Sequence, residues 1–93
     1  MARVPEADIQ GALASLPGWA RVGDEIMKTY ECISFADAIS FVVRIGFLAE
    51  HAQHHPDLNI RYRKVHVALT THDSGGLTQK DLELARRIEE VAP

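Results

Sequence analysis

The sequence predicts a single α+β domain in which three helices pack on one face of one antiparallel four-stranded sheet. Three segments carry apolar residues at helical spacing, four shorter segments alternate apolar and polar residues, and the segments follow the order α-β-β-α-β-β-α. Helices that separate pairs of strands are typical of an antiparallel sheet covered on one side. The 93 residues fit one domain, 1–93, without a linker or an internal repeat.

Composition is that of a folded protein, because hydrophobic residues make up 46% of the chain. The net charge of −3 is spread along the sequence, so neither nucleic acid nor an anionic membrane is predicted as the main ligand. The apolar stretch 39–49 is too short to span a bilayer, and the first residues lack the apolar core of a signal peptide. Because Cys32 is the only cysteine, we expect no intrachain disulfide and a cytoplasmic protein.

The first helix is predicted to open at Pro5 with acidic residues in its first turn, and to stop at Pro17. Its buried positions at helical spacing are Ile9, Leu13 and Leu16. Residues 19–22 and 25–30 then flank the pair Gly23 and Asp24, which suits a type II′ or I′ turn. We therefore expect a β-hairpin after the first helix.

The central helix is predicted to begin after Ser34, an N-cap in a capping box that has Asp37 in the usual glutamate position. It should run from residue 35 to about 54, because the residue before Pro56 is disfavoured in the helical region. Apolar residues surround it except for a narrow polar stripe of Asp37, Ser40 and Arg44. Such a helix must be covered on more than one side, so we expect a symmetric homo-oligomer through residues 35–49. A charge at Val42 or Ile45 should break it, unless that position faces the sheet.

A second hairpin is predicted from two alternating segments, with the connection at Arg63 and Lys64. The apolar positions are Leu58, Ile60 and Tyr62 in the first segment, and Val65, Val67 and Leu69 in the second. Residues 73–76 form a polar, glycine-rich loop. Thr78 then caps a last helix whose buried side comprises Leu82, Leu84, Ala85, Ile88 and Val91.

The histidines are concentrated at one point of the predicted fold. Three of the five lie within residues 51–55, at the end of the central helix, and His72 lies in the loop after the last strand. Glu50 and His54 are four residues apart and would share a helix face. Imidazole is the side chain that exchanges protons near neutral pH, so this concentration predicts an acid–base catalytic site.

Other interpretations of these residues remain open. Glu50 with His54 could be a surface pair, His51 a solvated helix residue, and His66 the polar side of its strand. Asp81 stands three residues after the predicted cap Thr78, so a capping role is at least as well supported as a chemical one. His51 and His55 also have the spacing of zinc-binding helices, although no glutamate lies between them and no thiolate joins them. A metal-dependent enzyme is therefore the competing class of enzyme.

The motif Glu50-x-x-x-His54-His55-Pro56, followed by Tyr62, His72 and Asp81, resembles the signature of the pterin-4a-carbinolamine dehydratases. The run from Thr71 to Thr78 is similar to a second block of that family, and the resemblance covers essentially the whole chain. Leu58 departs from the pattern, since many members carry an aromatic residue there, as does Arg63, where asparagine is frequent. Neither departure involves a histidine.

The resemblance implies that a 4a-hydroxytetrahydropterin loses water to give a quinonoid dihydropterin, without metal or cofactor. It implies acid and base roles for His54, His55 and His72, without deciding which is which, and supporting roles for Glu50 and Asp81. The residues implied in pterin binding are Pro56, Tyr62, Thr71 and Asp73. It also implies a tetramer of paired dimers, and some members of the family also serve as dimerisation cofactors of a homeodomain transcription factor. That binding role is the alternative to an enzyme.

Overall fold

The computed structural model describes residues 2–93. It contains one antiparallel sheet with three helices on one face, which confirms the predicted architecture. The helices are α1 (Glu6–Leu13), α2 (Phe35–Ala52) and α3 (Gln79–Val91), and a short 3-10 turn covers His72–Ser74. The strands are β1 (Ala20–Val22), β2 (Glu25–Glu31), β3 (Asp57–Arg61) and β4 (Lys64–Leu69), in the sheet order β1-β2-β4-β3. No helix among these residues is long and apolar enough to cross a membrane.

Both hairpins are present, but only one has its turn where predicted. Val22 pairs with Glu25, and Gly23 in the turn between them has a φ of 61°, a conformation that glycine adopts without steric cost. In the second hairpin Arg61 pairs with Lys64, so the predicted connection at Arg63 and Lys64 is wrong by one residue. The turn consists of Tyr62 and Arg63 because Tyr62 leaves the extended region, with a φ of 55°.

The hydrophobic core lies between the sheet and the helices. Its fully buried side chains include Ile26, Val65, Val67 and Leu69 from β2 and β4, and Phe41, Ile45, Leu82, Leu84 and Ile88 from the helices. The ring of Tyr30 packs edge-on against Phe41, with centroids 4.8 Å apart. The predicted buried side of α3 is confirmed except for Val91, which is only half-buried.

A partly buried polar cluster connects β2 to α3. The Tyr30 hydroxyl donates a hydrogen bond to Glu89, and Lys28 Nζ lies 2.8 Å from Glu89 Oε2. Burial, followed by the bond to Glu89, raises the pKa of Tyr30. Burial alone would raise the pKa of Glu89, but hydrogen bonds from Lys28 and Tyr30 and the lysine charge outweigh it and lower that pKa. The cluster therefore favours a charged carboxylate and a neutral phenol in the folded state.

The start of α2 agrees with the sequence prediction, whereas its end does not. The Asp37 backbone N–H donates to Ser34 Oγ at 3.1 Å, as expected of an N-cap. The Asp37 carboxylate accepts from the Ser34 hydroxyl at 3.2 Å, in place of the backbone donor of a capping box. The helix ends at Ala52, two residues before the predicted His54, because Gln53 adopts the left-handed conformation (φ 51°).

Two sides of α2 are apolar, and only one of them is covered. The buried side, which packs on the sheet and α3, consists of Ala38, Phe41, Ile45 and Ala49. A second row, spaced four residues apart, remains exposed and is called here the exposed apolar face of α2: Phe35, Ile39, Val43 and Phe47. Val42 is half-buried, and Ile45 belongs to the core, so Ile45 is not an interface position.

Candidate functional site

The end of α2, the end of β4 and the start of α3 meet at one end of the strands of the sheet. There they enclose a cleft of about 360 Å³. Five of the residues predicted to act or bind line it: His54, His55, Thr71, His72 and Asp73. The structure therefore brings together the three histidines that sequence analysis assigned to catalysis, although 72 lies far along the chain from 54 and 55.

His54 is held by a buried carboxylate. Its Nε2 atom lies 2.5 Å from Asp81 Oδ1, and Asp81 is fully buried. The second oxygen of Asp81 accepts hydrogen bonds from the Thr78 backbone N–H at 2.9 Å and from the Thr71 hydroxyl at 2.8 Å. Because a carboxylate accepts hydrogen bonds, Nε2 of a neutral His54 carries the proton, and Nδ1 is the ring nitrogen whose lone pair can accept one.

Asp81 makes the capping contact predicted from the sequence and also contacts a histidine of the cleft. Its bond from the Thr78 N–H completes a capping box at the start of α3, which confirms the structural prediction. The contact with His54 is made by the other carboxylate oxygen, so capping and histidine binding do not compete. A single buried side chain thus fixes the last helix and orients the imidazole in the cleft.

Glu50 pairs with His55 and not with His54. The distance between Glu50 Oε1 and His55 Nε2 is 3.2 Å, and the two side chains are 82% and 69% exposed. The expectation that Glu50 and His54 share a helix face is wrong, because the left-handed Gln53 ends the helix and His54 turns inward to Asp81. An ion pair this open to water contributes little stability.

The loop between β4 and α3 carries the third histidine. Thr71 and Gly76 exchange backbone hydrogen bonds of 3.1 and 3.3 Å, which close the loop around the 3-10 turn. Gly75 has a φ of 71°, a left-handed conformation that favours glycine at this point. His72 and Asp73 are exposed on this loop, at the opening of the cleft.

Two residues implied in pterin binding do not line the cleft of the protomer. Pro56 is half-buried in the link to β3. Tyr62 is exposed in the turn beyond β3, roughly 17 Å along that strand from its cleft end at Asp57, at about 3.4 Å per residue. His51 and His66 are exposed outside the cleft, and His66 Nδ1 lies 2.7 Å from Thr29 Oγ1. The interpretation of His66 as a solvated strand residue is thus confirmed.

Four lining residues were not identified from the sequence: Gln53, Thr70, Ser74 and Lys80. Lys80 lies between the predicted cap Thr78 and Asp81, in the first turn of α3. The sequence could have identified Lys80 as a lining residue, because that turn follows the loop that carries His72. Gln53 gives no comparable signal, because its left-handed backbone is not encoded by a glycine or an asparagine. Among residues 2–93, no three His, Cys, Asp or Glu side chains are placed so that they could hold a metal ion.

Comparison with known proteins agrees with the fold and with the family resemblance of the sequence. A family model described as Pterin 4 alpha carbinolamine dehydratase matches residues 2–91. A protein of Roseiflexus sp. strain RS-1 with the provisional name pterin-4-alpha-carbinolamine dehydratase is 56% identical over 89 residues, which cover 96% of each chain. A protein of Thermomicrobium roseum with the same provisional name is 49% identical over 92 residues, or 99% of each chain.

Two solved structures resemble the chain to different degrees. The crystal structure of a transcriptional coactivator/pterin dehydratase from Brucella melitensis superposes with a TM-score of 0.94 at 31% identity, covering 98% of this chain and 99% of that one. A pterin dehydratase-like protein identified as a RuBisCO assembly factor in the alpha-carboxysome gives a TM-score of 0.65 at 20% identity, over 80% of this chain and 86% of that one. The second likeness concerns the fold alone.

Proposed function

Because the chain belongs to the pterin 4 alpha carbinolamine dehydratase family, we propose that it dehydrates a 4a-hydroxytetrahydropterin to a quinonoid dihydropterin. The observation that best supports this activity is the His54–Asp81 pair in a cleft shared with two further histidines. This is the arrangement that a proton-transfer reaction near neutral pH requires.

The reaction needs one acid and one base. The C4a–O bond breaks, and the leaving hydroxyl takes a proton from the acid and departs as water. The base removes the proton of the neighbouring ring nitrogen, whose electron pair then forms the double bond to C4a. Each proton transfer by a positioned side chain typically contributes 10²- to 10⁴-fold to the rate.

We assign the base to His54. Its Nε2 is engaged with Asp81, so only Nδ1 can accept a proton, and the carboxylate stabilises the imidazolium that results. The acid is then one of the two exposed histidines, His55 or His72. Glu50 contacts His55 as Asp81 contacts His54, a carboxylate oxygen against Nε2. The Glu50–His55 pair is exposed to solvent, whereas the Asp81–His54 pair is buried. Side chains alone supply these steps, and the proposal includes no cofactor.

Thr71 and Asp73 are the residues proposed to contact the pterin, because both line the cleft beside His72. Lys80 and Gln53 extend this polar lining on the side of α2 and α3. Tyr62 lies at the far end of β3, away from the cleft of its own protomer. If Tyr62 contacts a pterin, that pterin is bound in the cleft of another subunit.

A stopped-flow assay on synthetic 4a-carbinolamine tests the proposal directly. Wild-type protein should accelerate loss of water, and a chelator should leave the rate unchanged. His66→Ala serves as the control for general loss of histidine, since His66 is exposed outside the cleft. Inactivation by chelator, with recovery on addition of zinc, would replace this mechanism by a metal-dependent one.

A second function is favoured by the exposed apolar face of α2. Phe47 is 75% exposed and Val43 is 51% exposed on a helix surface with no partner inside the protomer. We propose that this face binds another α2, which makes the protein a homodimer or a tetramer. The same face could bind a different protein, in line with the Brucella melitensis relative that is titled a transcriptional coactivator.

A further inference from the structure

Two threonine hydroxyls lead from the interior to the carboxylate of Asp81, and they are called here the hydroxyl chain. Thr71 Oγ1 lies 2.8 Å from Asp81 Oδ2, and Thr78 Oγ1 lies 2.8 Å from Thr71 Oγ1. The Thr78 side chain is fully buried, so it cannot touch a molecule bound in the cleft. Its hydroxyl can influence the chemistry of the cleft only through the groups that it contacts.

The direction of the hydroxyl chain follows from the protons that each group can donate. A hydroxyl has one proton and two lone pairs, whereas an ionised carboxylate only accepts hydrogen bonds. Thr71 therefore donates its proton to Asp81, and in the remaining contact Thr78 must donate to Thr71. The Thr78 oxygen accepts in turn from the Lys80 backbone N–H at 3.3 Å. Each hydroxyl thus commits its proton to the next group towards Asp81.

Helix capping explains only part of this arrangement. As the N-cap of α3, Thr78 has to accept a hydrogen bond from a backbone N–H of the first turn. At the start of α2, the cap Ser34 uses its own proton within the same turn, on the Asp37 carboxylate. Thr78 instead donates to Thr71, seven residues earlier in the loop after β4. Its proton therefore serves a residue outside the cap.

The hydroxyl chain changes how the charge of Asp81 is shared. The two oxygens of a carboxylate share one negative charge, so a donor on Oδ2 leaves less charge on Oδ1 for the bond to His54. Hydrogen bonds in a chain polarise one another, and the Thr78 proton therefore makes Thr71 a stronger donor. Both hydroxyls thus weaken the attraction between Oδ1 and the His54 N–H.

We propose that the hydroxyl chain limits how strongly Asp81 stabilises a protonated His54, a role that rests on the proposed function of His54 as the base. In each turnover His54 gains a proton at Nδ1 and must release it before the next cycle. A carboxylate that stabilised the imidazolium too strongly would slow this release, whereas one without the His54 contact would not orient the ring. Thr78 is a positioning residue, since it acts through Thr71 and Asp81.

Substitutions at the two threonines separate the hydroxyl chain from the helix cap. Thr78→Val removes the donor to Thr71 together with the cap acceptor, whereas Thr78→Ser keeps both. Thr71→Val removes the donor to Asp81 and leaves the α3 cap in place. The matched control is Ser34→Ala, which removes the cap acceptor of α2. Circular dichroism and urea unfolding show whether each variant is folded and how much stability it has lost.

The first measurement does not depend on activity. In ¹H–¹⁵N spectra of the imidazoles, Thr71→Val should move the His54 Nε2–H signal downfield, because a stronger hydrogen bond deshields its proton. Thr78→Val should move it in the same direction by less, and the double variant should move it no further than Thr71→Val alone. Thr78→Ser and Ser34→Ala should leave the signal in place.

Two results of the spectra would overturn the proposal whatever the substrate is. One is a His54 signal that does not move in Thr71→Val, a variant that retains the cap and decides the matter even if Thr78→Val does not fold. The other is a double variant whose shift is the sum of the two single shifts, because Thr78 would then act on His54 by a route that does not include Thr71.

The second measurement is steady-state dehydration of the carbinolamine. Thr78→Val should lower kcat by roughly 5-fold, the rate equivalent of one neutral hydrogen bond, because proton release from His54 becomes slower. KM should stay unchanged, since the buried Thr78 cannot touch the substrate. Thr78→Ser should have the kcat of wild type, and a rise in KM at constant kcat would overturn the proposal. If wild type does not dehydrate the carbinolamine, the proposed function fails, and the spectra still decide whether Thr78 acts on His54.

Discussion

His54 Nε2 and Asp81 Oδ1 lie 2.5 Å apart in the protein interior, although the two residues are 27 positions apart in the chain. The contact joins the segment after α2 to the first turn of α3. It makes one carboxylate responsible for both a helix start and the orientation of an imidazole. Changes at this pair should therefore affect stability and catalysis together.

Asp81→Asn should lower both the unfolding free energy and the turnover. An amide has one acceptor oxygen where the carboxylate has two, so it cannot accept from His54 and also from Thr78 and Thr71. About 1–3 kcal/mol of stability should therefore be lost. Turnover should fall by roughly 10²-fold or more, because His54 loses its orienting acceptor. Urea unfolding and stopped-flow dehydration measure the two effects.

The matched control for Asp81 is Asp37→Asn in the first turn of α2. It should reduce stability slightly and leave turnover unchanged, because Asp37 contacts only the Ser34 cap among the interactions described. If Asp81→Asn lowered stability but left turnover unchanged, as expected for Asp37→Asn, Asp81 would have a capping role and no part in the chemistry.

Replacement of His54, His55 or His72 by alanine should lower turnover by roughly 10²- to 10⁴-fold in each case. Stability should distinguish them. His54→Ala leaves a buried carboxylate oxygen without a partner and should cost about 1–3 kcal/mol. The other two are exposed, and their unfolding free energy should stay within about 0.5 kcal/mol of wild type. An exposed histidine whose removal spared the rate would be excluded as the acid.

Stability should fall at acidic pH through Glu89. Because its pKa is lowered on folding, its contribution is present above the unfolded value of about 4.3 and is lost as the pH falls towards the lower folded pKa. Glu89→Gln should therefore destabilise the protein at pH 7 and make less difference at pH 3. Urea midpoints at both values measure this, with the exposed neighbour Glu90→Gln as control. An equal effect of Glu89→Gln at both pH values would contradict the assignment.

The same cluster predicts a loss of stability at alkaline pH. The pKa of Tyr30 is raised on folding, first by burial, so its contribution is complete below the unfolded value of about 10 and declines as the pH rises above it. Tyr30→Phe should remove this alkaline dependence. Thermal unfolding between pH 8 and pH 11 provides the comparison, and an unchanged slope in the variant would rule out Tyr30 as its source.

Val43→Glu should dissociate the assembly, whereas Val22→Glu should not. The two valines have similar exposure, 51% and 55%, but only Val43 lies on the exposed apolar face of α2. An unpaired carboxylate buried in an interface costs several kcal/mol. Light scattering at micromolar concentration measures the mass of each variant. Dissociation by Val22→Glu alone would move the interface to the sheet.

The order of elements could be predicted because it depends on local patterns. Periods of two and of about 3.6 residues, proline and glycine punctuation, and the caps Ser34 and Thr78 are all written in the sequence. The membership of the cleft followed in part from the same order, since His54, His55 and His72 end neighbouring elements.

The partners of the site residues could not be predicted, because they depend on two left-handed residues that are not glycine. The left-handed Gln53 ends α2 early, and the His54 side chain therefore contacts Asp81. Glu50 contacts His55 and not His54. Tyr62 turns the second hairpin and thereby lies away from the cleft. The sequence also could not predict which apolar side of α2 packs on the core, because both sides carry apolar residues at helical spacing.

The position of Asp81 on the last helix has a consequence for how the protein loses activity on heating. Proteins open locally at free energies below that of global unfolding. If α3 detaches briefly at its first turn, His54 is released while the sheet remains intact. The proposed activity would then decay at temperatures where the strands are still protected from hydrogen exchange, and its lifetime would be set by how stably the first turn of α3 stays docked.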